Sequence, residues 1–559
     1  MVRFGTILCV LGAALRLVAC SHQTISGELR YTNPVLHMDY SDPDVCRVGD
    51  DYYMTASSFN FIPGLPILHS RNLIDWELIG YALSSYPASG HGEGVWAPSI
   101  RRHDGWFYIF CGDPDRGIFM VRSREPQGPW SEPVWVVKAK GFIDPCPFWD
   151  EDGSAWLVHG SAGSRAGLKS VLYLAPMNAD GTAVTGPSRI IYDGHMTQPT
   201  IEGPKVYKRH GWYYIFAPAG GVATGWQTVL RSRSLAGPFE ERIVMAWAPG
   251  AVNGPHQGGW VDTLSGEDWF LHFQDKDAYG RIVHLQPMKW GADGWPVIGE
   301  DPDGDGVGQP VSSWTVPRPS RKASSPQDSY SPYGLPLEWQ FPAVPSPYWY
   351  CSLPSGGIRL YSVEQETEGL WNCHNLVSQK FPAESFTVEA TLVFQPNPQL
   401  KGHGEQAGLV VMGKDYAGLR LTDTAEGVLL QFVLCEGADT GGVEVVSELC
   451  PVPFETAAVD HSRESLNVPQ AKYTDYRVAR IHVRLEVTPV LREGNVPEPR
   501  CRFSYSLDGS NWTSVDQVFT ARPGIWVGAR FGFYCNRHSP KNDSGWLDIS
   551  TVEITPARP

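Results

Sequence analysis

The sequence lacks the features that several common classes of protein require. It carries 45 Lys and Arg against 60 Asp and Glu, a formal net charge of −15, and so lacks the excess of basic side chains that binds nucleic acid. No Cys-x-x-Cys or His-Glu-x-x-His spacing indicates a metal centre. Beyond residue 20 no apolar run is long enough to cross a bilayer, and no long segment shows helical periodicity. We therefore expect a β-structured protein with neither nucleic acid nor membrane as a partner.

The first 20 residues have the pattern of a secretory signal peptide. Arg3 precedes an apolar run from Ile7 to Leu15, and small residues lie near Ala19. Arg16 weakens this pattern, and the end of the segment, up to Cys20, could also be read as a bacterial lipoprotein box. We favour cleavage and secretion, which predicts an extracellular protein.

Cysteine is used differently in the two halves of the chain. Cys46, Cys111 and Cys146 lie in strands that we expect to be inner ones, and they are predicted to be buried free thiols. Six more follow, an even count that secretion would allow to pair, although the pairing cannot be deduced from sequence. These six are Cys351, Cys373, Cys435, Cys450, Cys501 and Cys535.

One short pattern recurs along the first half of the chain. In its clearest copy, Gln198 to Phe216, a short apolar strand is followed by a Gly-containing turn and an aromatic strand, which is a β-hairpin signal. Five copies, spaced by roughly 45–60 residues, fall in or near the range of propeller blades. The residues predicted to open the five hairpins are Asp42, Ala97, Asp144, Glu202 and, in a looser copy, His256.

The predicted fold is all-β: a five-bladed β-propeller over residues 28–300, a linker over 301–338 and a β-sandwich over 339–559. The linker is rich in Pro, Ser, Gly and Asp. Its segment starting at Asp301 resembles the start of an EF-hand loop, but Ser312 stands where the bidentate Glu is expected. The sandwich strands are predicted at 386–394, 407–412, 428–433, 479–487, 502–507, 532–536 and 547–554.

Three of the residues that open hairpins are carboxylates, and a propeller would bring them to one channel. Like charges in one cavity push pKa values apart. Glu202 has the longest reach and is predicted to be a general acid, with Asp144 as a nearby anion that raises its pKa. Asp42 would be the general base. Because these two groups lie in separate blades, the wide carboxylate spacing of an inverting glycosidase is expected.

Several motifs of the first half carry a resemblance to a known family. They are Ser41-Asp-Pro-Asp, Gly49-Asp-Asp-Tyr-Tyr, Val95-Trp-Ala-Pro-Ser, Phe142-Ile-Asp-Pro, Ile201-Glu-Gly-Pro and Gly280-Arg. Together they resemble glycoside hydrolase family 43, in particular its β-xylosidase-like and α-L-arabinofuranosidase-like members with a concanavalin A-like C-terminal sandwich. The resemblance implies the same roles for the three carboxylates: base, pKa modulator and acid.

The resemblance also implies the residues that bind the terminal sugar. Phe59 and Trp96 would wall its pocket, and His256 and Arg281 would reach in from the fifth blade. Relatives use the sandwich to close one side of the pocket, which makes Trp526 a candidate for that role. Asp44 departs from the Ser that is common at its position, and the sequence assigns it no role.

The resemblance implies hydrolysis without a required cofactor. Some members of the family hold a cation in the channel through a histidine, which leaves His256 or His272 as candidates for a calcium site, although no metal ligand is assigned from the sequence.

Two classes of function fit the sequence. The first is a secreted, exo-acting, inverting glycosidase that releases β-D-xylose or α-L-arabinofuranose from plant cell-wall oligosaccharides. The alternative is a non-catalytic, lectin-like sugar-binding propeller, which the abundance of Trp, Tyr and Phe would also suit. A lectin would not need three acids in register, so we expect an enzyme. The choice between the two sugars and the oligomeric state are left open.

Overall fold

The computed structural model describes residues 23–25, 28–87, 90–247, 252, 254–318, 331–354, 356–397, 404–456, 477–491, 497–538 and 543–557. The predicted leader, 1–20, lies outside the described residues. Regular structure in these ranges is almost entirely β, apart from the short helix α1 (Gly163–Ala166) and two 3-10 turns at Asp277–Tyr279 and Ala438–Thr440. No helix in the described ranges has the length and apolarity to cross a membrane.

The first domain is a propeller of five antiparallel four-stranded sheets, as predicted. A hairpin of β1 (Gln23–Ile25) and β2 (Glu28–Thr32) precedes it. Blades one and two are β3 (Asp44–Val48), β4 (Asp51–Thr55), β5 (Gly64–Ser70), β6 (Glu77–Leu83), β7 (Trp96–His103), β8 (Trp106–Asp113), β9 (Gly117–Ser123) and β10 (Val134–Val137). Blade three is β11 (Phe142–Trp149), β12 (Ala155–Ser161), β13 (Val171–Met177) and β14 (Arg189–Asp193). Blades four and five are β15 (Lys205–Arg209), β16 (Trp212–Ala219), β17 (Trp226–Ser232), β18 (Glu240–Met245), β19 (His256–Asp262), β20 (Asp268–Asp275), β21 (Arg281–Trp290) and β22 (Pro296–Ile298).

Local turn chemistry explains why the hairpins form where they do. In blade four His210 and Gly211 have φ values of 51° and 73°, and in blade two Asp104 and Gly105 have 45° and 75°. Two successive positive φ values are typical of a tight type I′ turn, whose twist matches that of the strands it joins. The hairpins of the repeat are therefore determined locally.

The first strand of each blade lines the central channel, with β3 packed between β7 and β19 and β11 packed against β7 and β15. The chain before blade one closes the ring against blade five. Leu36 exchanges backbone hydrogen bonds with Val283, and the N–H of Tyr40 donates to the carbonyl of Arg281 at 2.9 Å. The strand β2 pairs with β23 (Ser313–Thr315), so part of the predicted linker packs on the propeller.

The second domain is a sandwich of two sheets, also as predicted. Its strands are β24 (Tyr350–Ser352), β25 (Ile358–Tyr361), β26 (Val363–Glu364), β27 (Leu376–Lys380), β28 (Phe386–Gln395), β29 (Gln406–Met412), β30 (Tyr416–Thr424), β31 (Gly427–Cys435), β32 (Val445–Val452), β33 (Phe454–Thr456), β34 (Arg477–Leu491), β35 (Pro497–Ser506), β36 (Thr513–Ser514), β37 (Phe519–Thr520), β38 (Arg530–Arg537) and β39 (Trp546–Pro556). One sheet runs β24-β25-β39-β28-β34-β35-β36, with β33 beside β34 and β37 beside β35. The other runs β26-β38-β29-β30-β31-β32, with β27 beside β38.

The two domains share a core. Ala278 and Tyr279 of blade five are fully buried among the apolar side chains that fill the sandwich. Ile62 of blade one exchanges backbone hydrogen bonds with Phe341 at 2.9 and 2.7 Å. Trp339 is buried in the same cluster. Separating the domains would expose this apolar surface to water, at a cost that grows with its area.

The nine cysteines in the described ranges are all free thiols. Cys111 and Cys146 are buried and Cys46 is half-buried. Cys111 lies on β8, the second strand of its blade, so the expectation that it belongs to an inner strand is wrong. It is nevertheless buried because β8 is covered by neighbouring strands on both faces.

Candidate active site

One backbone feature, repeated in all five blades, shapes the mouth of the channel. A residue at the entry to each first strand has a left-handed conformation: Asp42 (φ 55°), Ala97 (36°), Asp144 (55°), Gly203 (58°) and Gln257 (26°). Such conformations are costly for residues other than Gly and cluster at functional sites.

This repeat corrects the sequence alignment of the blades by one residue. The left-handed positions in blades four and five are Gly203 and Gln257, each one residue after the predicted Glu202 and His256. A Cβ at Gly203 would lie 2.7 Å from Cδ of Gln257, so a side chain there would require Gln257 to move. The acidic group of blade four therefore comes from the preceding residue, and the length of Glu202 brings it to the mouth.

Asp42 is buried and held by hydroxyl donors. Ser41 Oγ and Ser57 Oγ both donate to its Oδ2, at 2.7 and 2.6 Å. Ser57 Oγ in turn accepts the N–H of Ala97 at 2.7 Å, which ties the carboxylate to blade two. The other oxygen, Oδ1, lies 3.6 Å from Nη1 of Arg281. Two hydroxyl donors and a guanidinium thus surround this carboxylate.

Asp144 is buried one blade away from the acidic group that it would modulate. Its Oδ2 accepts the N–H of Gly203 at 2.8 Å and an N–H of Gln257 at 3.4 Å. Burial, and then the charge of Asp42, raise the pKa of Asp144, while Lys205 and the two donors lower it.

Glu202 is the carboxylate that faces the pocket, with 31% of its side chain exposed. Burial raises its pKa above the usual range, and the charges of Asp144 and then Asp42 raise it further, against the smaller lowering effect of Arg281. Burial is thus the larger cause, where the sequence had suggested Asp144. Because Asp144 accepts two N–H donors and Glu202 accepts none from the described backbone, the proton of this coupled pair is best placed on Glu202.

Arg281 and His256 border these carboxylates from blade five. Nη1 of Arg281 donates to Ser41 Oγ at 2.7 Å, so its guanidinium is fixed beside the predicted base. His256 Nε2 lies 3.3 Å from Oε1 of Glu202. Burial is the main reason why the pKa of His256 falls to about 3, so it is a neutral imidazole next to Glu202 at pH 7.

Aromatic rings from both domains surround the mouth. Phe59 and Trp96 pack edge to face with centroids 6.2 Å apart. Trp526 of the sandwich packs against Trp96 at 5.9 Å, and the guanidinium of Arg281 lies 5.6 Å from the Trp526 ring. Trp526 has a φ of 65° and is half exposed. The predicted sugar-binding residues are therefore together, and Trp526 lies beside them.

Three further residues at the mouth were not predicted from the sequence. Ser57 and Gln257 bond the carboxylates, as described above, but hydroxyl and amide groups at these positions had no distinguishing pattern. Lys205 is fully buried, and its Nζ has no hydrogen-bond partner among the described residues. The sequence could have indicated Lys205, because this charged residue directly follows Ile201-Glu-Gly-Pro at the start of an inner strand, where a charge is unusual.

Asp44, to which the sequence assigned no role, joins two blades. Its Oδ2 accepts the N–H of Ile100 at 2.8 Å and a hydrogen bond from the guanidinium of Arg101. It is fully buried, and removing one partner of such an ion pair is strongly destabilising. We therefore assign Asp44 to the cohesion of blades one and two.

His272, one of the two candidates for a channel cation, has both ring nitrogens in hydrogen bonds. His272 has Nδ1 at 3.0 Å from the carbonyl of Phe273 and Nε2 at 3.1 Å from the amide nitrogen of Gln286. The first nitrogen must donate and the second must accept, so no lone pair is free. His256 Nε2 faces Glu202, and neither ring nitrogen has a hydrogen-bond partner among the described residues, so a cation at His256 stays a prediction. No step of the reaction below is routed through a metal.

The predicted linker contains an acidic loop. The ligand atoms of Asp301, Asp303 and Asp305 are within 4.8 Å of one another. The oxygens of Asp301 accept the N–H groups of Gly304 and Gly306 at 2.9 and 3.0 Å. These bonds hold the loop in a compact turn.

Glu202 with its raised pKa, Asp42 held by two hydroxyls and the buried Asp144 provide the acid and base of glycoside hydrolysis. The fold and the site thus define the class of protein as a propeller glycoside hydrolase.

Comparison with known proteins identifies the family. Residues 31–296 match Glycosyl hydrolases family 43, and residues 327–555 match its Beta xylosidase C-terminal Concanavalin A-like domain. A candidate beta-xylosidase of Xylanibacter ruminicola is 34% identical over 518 residues, which cover 90% of this chain and 86% of that protein. The non-reducing-end alpha-L-arabinofuranosidase of Bacteroides ovatus is 30% identical over 413 residues, 69% of this chain and 74% of that protein. The crystal structure of a xylan beta-1,4-xylosidase from Bacillus halodurans superposes with a TM-score of 0.76 at 25% identity, covering 94% of this chain and 99% of that one.

The chain belongs to glycosyl hydrolase family 43 and carries the concanavalin A-like C-terminal domain found in that family. It is a glycosidase, which sets aside the alternative of a non-catalytic sugar-binding propeller.

Proposed function

We propose that the protein is an exo-acting, inverting glycosidase that releases terminal β-D-xylose or α-L-arabinofuranose from hemicellulose fragments. The observation that carries the proposal is the mouth itself, where Glu202 has a raised pKa while Asp42 is bonded by two hydroxyls. Of the relatives named above, two are named for action on xylosides and one for action on α-L-arabinofuranosides. The two pentoses present similarly placed hydroxyls, so both remain in the proposal.

In the proposed reaction Glu202 donates its proton to the glycosidic oxygen as the bond to the anomeric carbon breaks. Asp42 accepts a proton from a water molecule, whose oxygen forms the new bond to that carbon. The products are a free pentose and a shortened oligosaccharide, and solvent exchange returns both carboxyl groups to their starting states. The charge of Asp144 raises the pKa of Glu202 and so helps Glu202 to stay protonated until the reaction begins.

Inversion is supported by where the acid and base originate. Asp42 enters from blade one and Glu202 from blade four, which are not neighbours in a ring of five. Opposite sides of a channel suit the wider spacing, about 6.5–9.5 Å, that leaves room for a water between base and sugar. The NMR spectrum of the first-formed sugar tests this: its anomer should be opposite to that of the substrate, and a retained anomer would refute inversion.

Removal of single terminal residues is supported by the ring of aromatic side chains. The sandwich loop that carries Trp526 packs against Trp96 at the mouth, and we propose that it blocks a longer polysaccharide from continuing on that side. We further propose that the protein is secreted, requires no cofactor, and has plant cell-wall oligosaccharides as its binding partners.

Initial rates on the 4-nitrophenyl β-D-xyloside and α-L-arabinofuranoside test the substrate class. Hydrolysis of at least one of them is expected, with release of monosaccharide alone from xylo-oligosaccharides. Internal cleavage of xylan, or activity on hexosides only, would refute the proposal.

A further inference from the structure

Asp39 is a buried carboxylate, 5% exposed, that joins the two domains beside the active site. Its Oδ1 accepts the backbone N–H of Arg281 in blade five at 2.8 Å. Its Oδ2 accepts the backbone N–H of Gly528 in the sandwich at 2.9 Å. One side chain thus binds two backbone segments from different domains.

The surrounding backbone is shaped for this contact. A Cβ at Gly280 would lie 2.5 Å from Cγ of Asp39, and one at Gly528 would lie 2.7 Å from the backbone nitrogen of Gly280. Only glycine at both positions lets the three segments meet. The N–H of Ala529 donates to the carbonyl of Ala278 at 2.7 Å, which fastens the same loop a second time.

Each of the two bonded segments carries a side chain of the mouth. Arg281 is the residue whose guanidinium bonds Ser41 and lies 3.6 Å from Asp42. Gly528 is two residues after Trp526, whose ring faces both Trp96 and the Arg281 guanidinium. The carboxylate of Asp39 therefore determines where a cation and an aromatic ring stand relative to each other.

Cations packed nearby provide the counter-charge for this buried carboxylate. Nζ of Lys380 lies 3.8 Å from the ring of Tyr40, the neighbour of Asp39. Burial lowers the pKa of Lys380, and the charge of Asp39 opposes that effect. Burial also lowers the pKa of Arg530, and the charge of Asp39 again opposes this effect. Two basic side chains thus interact electrostatically with the Asp39 carboxylate.

We propose that Asp39 is a positioning residue for the terminal-sugar subsite, which it assembles by holding the Arg281 segment and the Trp526 loop in register. This proposal rests on the glycosidase function proposed above. It assigns the sandwich an active part in substrate binding, transmitted through one propeller carboxylate.

The test is Asp39→Asn, which keeps the size of the side chain but places an NH₂ group against a backbone N–H. KM and the inhibition constant for the product sugar should both rise roughly tenfold, since a buried donor loses its acceptor. The acidic and alkaline limbs of the pH–rate profile should not move, because the substitution leaves Asp42, Asp144 and Glu202 in place. The substrate is whichever 4-nitrophenyl glycoside the wild type cleaves, so failure on pentosides would refute the substrate class and leave the role of Asp39 to be judged separately.

Glu405→Gln is the matched control. Glu405 is a fully buried sandwich carboxylate that also accepts two backbone N–H groups, from Asn397 at 2.6 Å and Gly545 at 2.8 Å. The control variant should lose thermal stability to a similar extent without a change in KM. In a Trp526→Ala background the effect of Asp39→Asn on KM should be smaller, because part of it acts through Trp526. Equal KM values for the Asp39→Asn and Glu405→Gln variants, or fully additive effects with Trp526→Ala, would overturn the proposal.

Hydrogen exchange on the unsubstituted chain covers the case in which Asp39→Asn does not fold. Saturating product sugar should slow exchange in the peptides containing Arg281 and Gly528 together. Slowing of one without the other, or of neither, would overturn the proposal.

Discussion

The backbone N–H of Gly203 donates a 2.8 Å hydrogen bond to Oδ2 of Asp144, so the residue after the proposed acid is bonded to the carboxylate of the neighbouring blade. This bond fixes the direction in which Glu202 leaves blade four. It also favours the ionised form of Asp144, since a carboxylate that accepts N–H donors is easier to ionise. One contact thus serves both the position of the acid and its state of protonation.

Glu202→Gln removes the proposed proton donor. Loss of activity should be severe on natural oligosaccharides, whose alkoxide leaves poorly, and milder on an activated aryl glycoside that departs without help. Steady-state rates on both kinds of substrate measure the difference.

Asp42→Asn is the companion variant. It removes the group that activates water, a step needed whatever leaves, so the loss should be similar for both substrates, on the order of 10²–10⁴-fold. If Asp42→Asn rather than Glu202→Gln showed the dependence on leaving group, the roles of the two carboxylates would be exchanged.

Asp144→Asn should move the alkaline limb of the pH–rate profile downward. The anion of Asp144 raises the pKa of Glu202, so its removal lets Glu202 lose its proton at a lower pH. Burial and Asp42 still act on Glu202, so its pKa should fall only part of the way to an ordinary value. The kcat/KM profile checks this, and an unchanged or upward-shifted alkaline limb would contradict it.

Lys205→Met should also move the alkaline limb of the same profile downward. The buried ammonium lowers the pKa of Asp144, so without it Asp144 keeps its proton to a higher pH and its charge raises the pKa of Glu202 less. Lys208→Met is the control, because Lys208 lies on the same strand but pairs with Asp150 and Glu151 away from the mouth. If the limb shifted equally in both variants, the effect would come from the change in net charge and not from the position of Lys205 beside Asp144.

A fragment of residues 21–310 should be insoluble or inactive. Without the sandwich, Ala278 and Tyr279 lose the core in which they are buried, and the mouth loses Trp526. Expression of the fragment with sedimentation and activity assays checks this. A soluble fragment with full activity would show that the sandwich is dispensable.

Much of the fold was predictable because its information is local. The hairpins of the propeller depend on adjacent residues such as His210 and Gly211, whose backbone angles make the turn. The repeat of such hairpins predicts blades, and blades predict a shared channel. For the same reason Asp42, Asp144 and Glu202 could be selected from their positions in the repeat.

The exact register of the blades was not predictable, because it depends on space inside the ring. Gly203 takes the left-handed position against the side chain of Gln257, and a Cβ there would lie 2.7 Å from its Cδ. Sequence similarity between blades does not record such a contact across blades.

The sequence by itself therefore determined the blades, the sandwich and the three carboxylates, since short-range turn chemistry and periodic patterning specify each of them. Only the tertiary structure decided how the mouth is completed. Asp39 bonds Gly528 across 489 positions of chain, and Lys205 acts on Asp144 from the adjacent blade. Such partners are selected by the packing of blades and domains, which brings together groups whose separation along the chain carries no local signal.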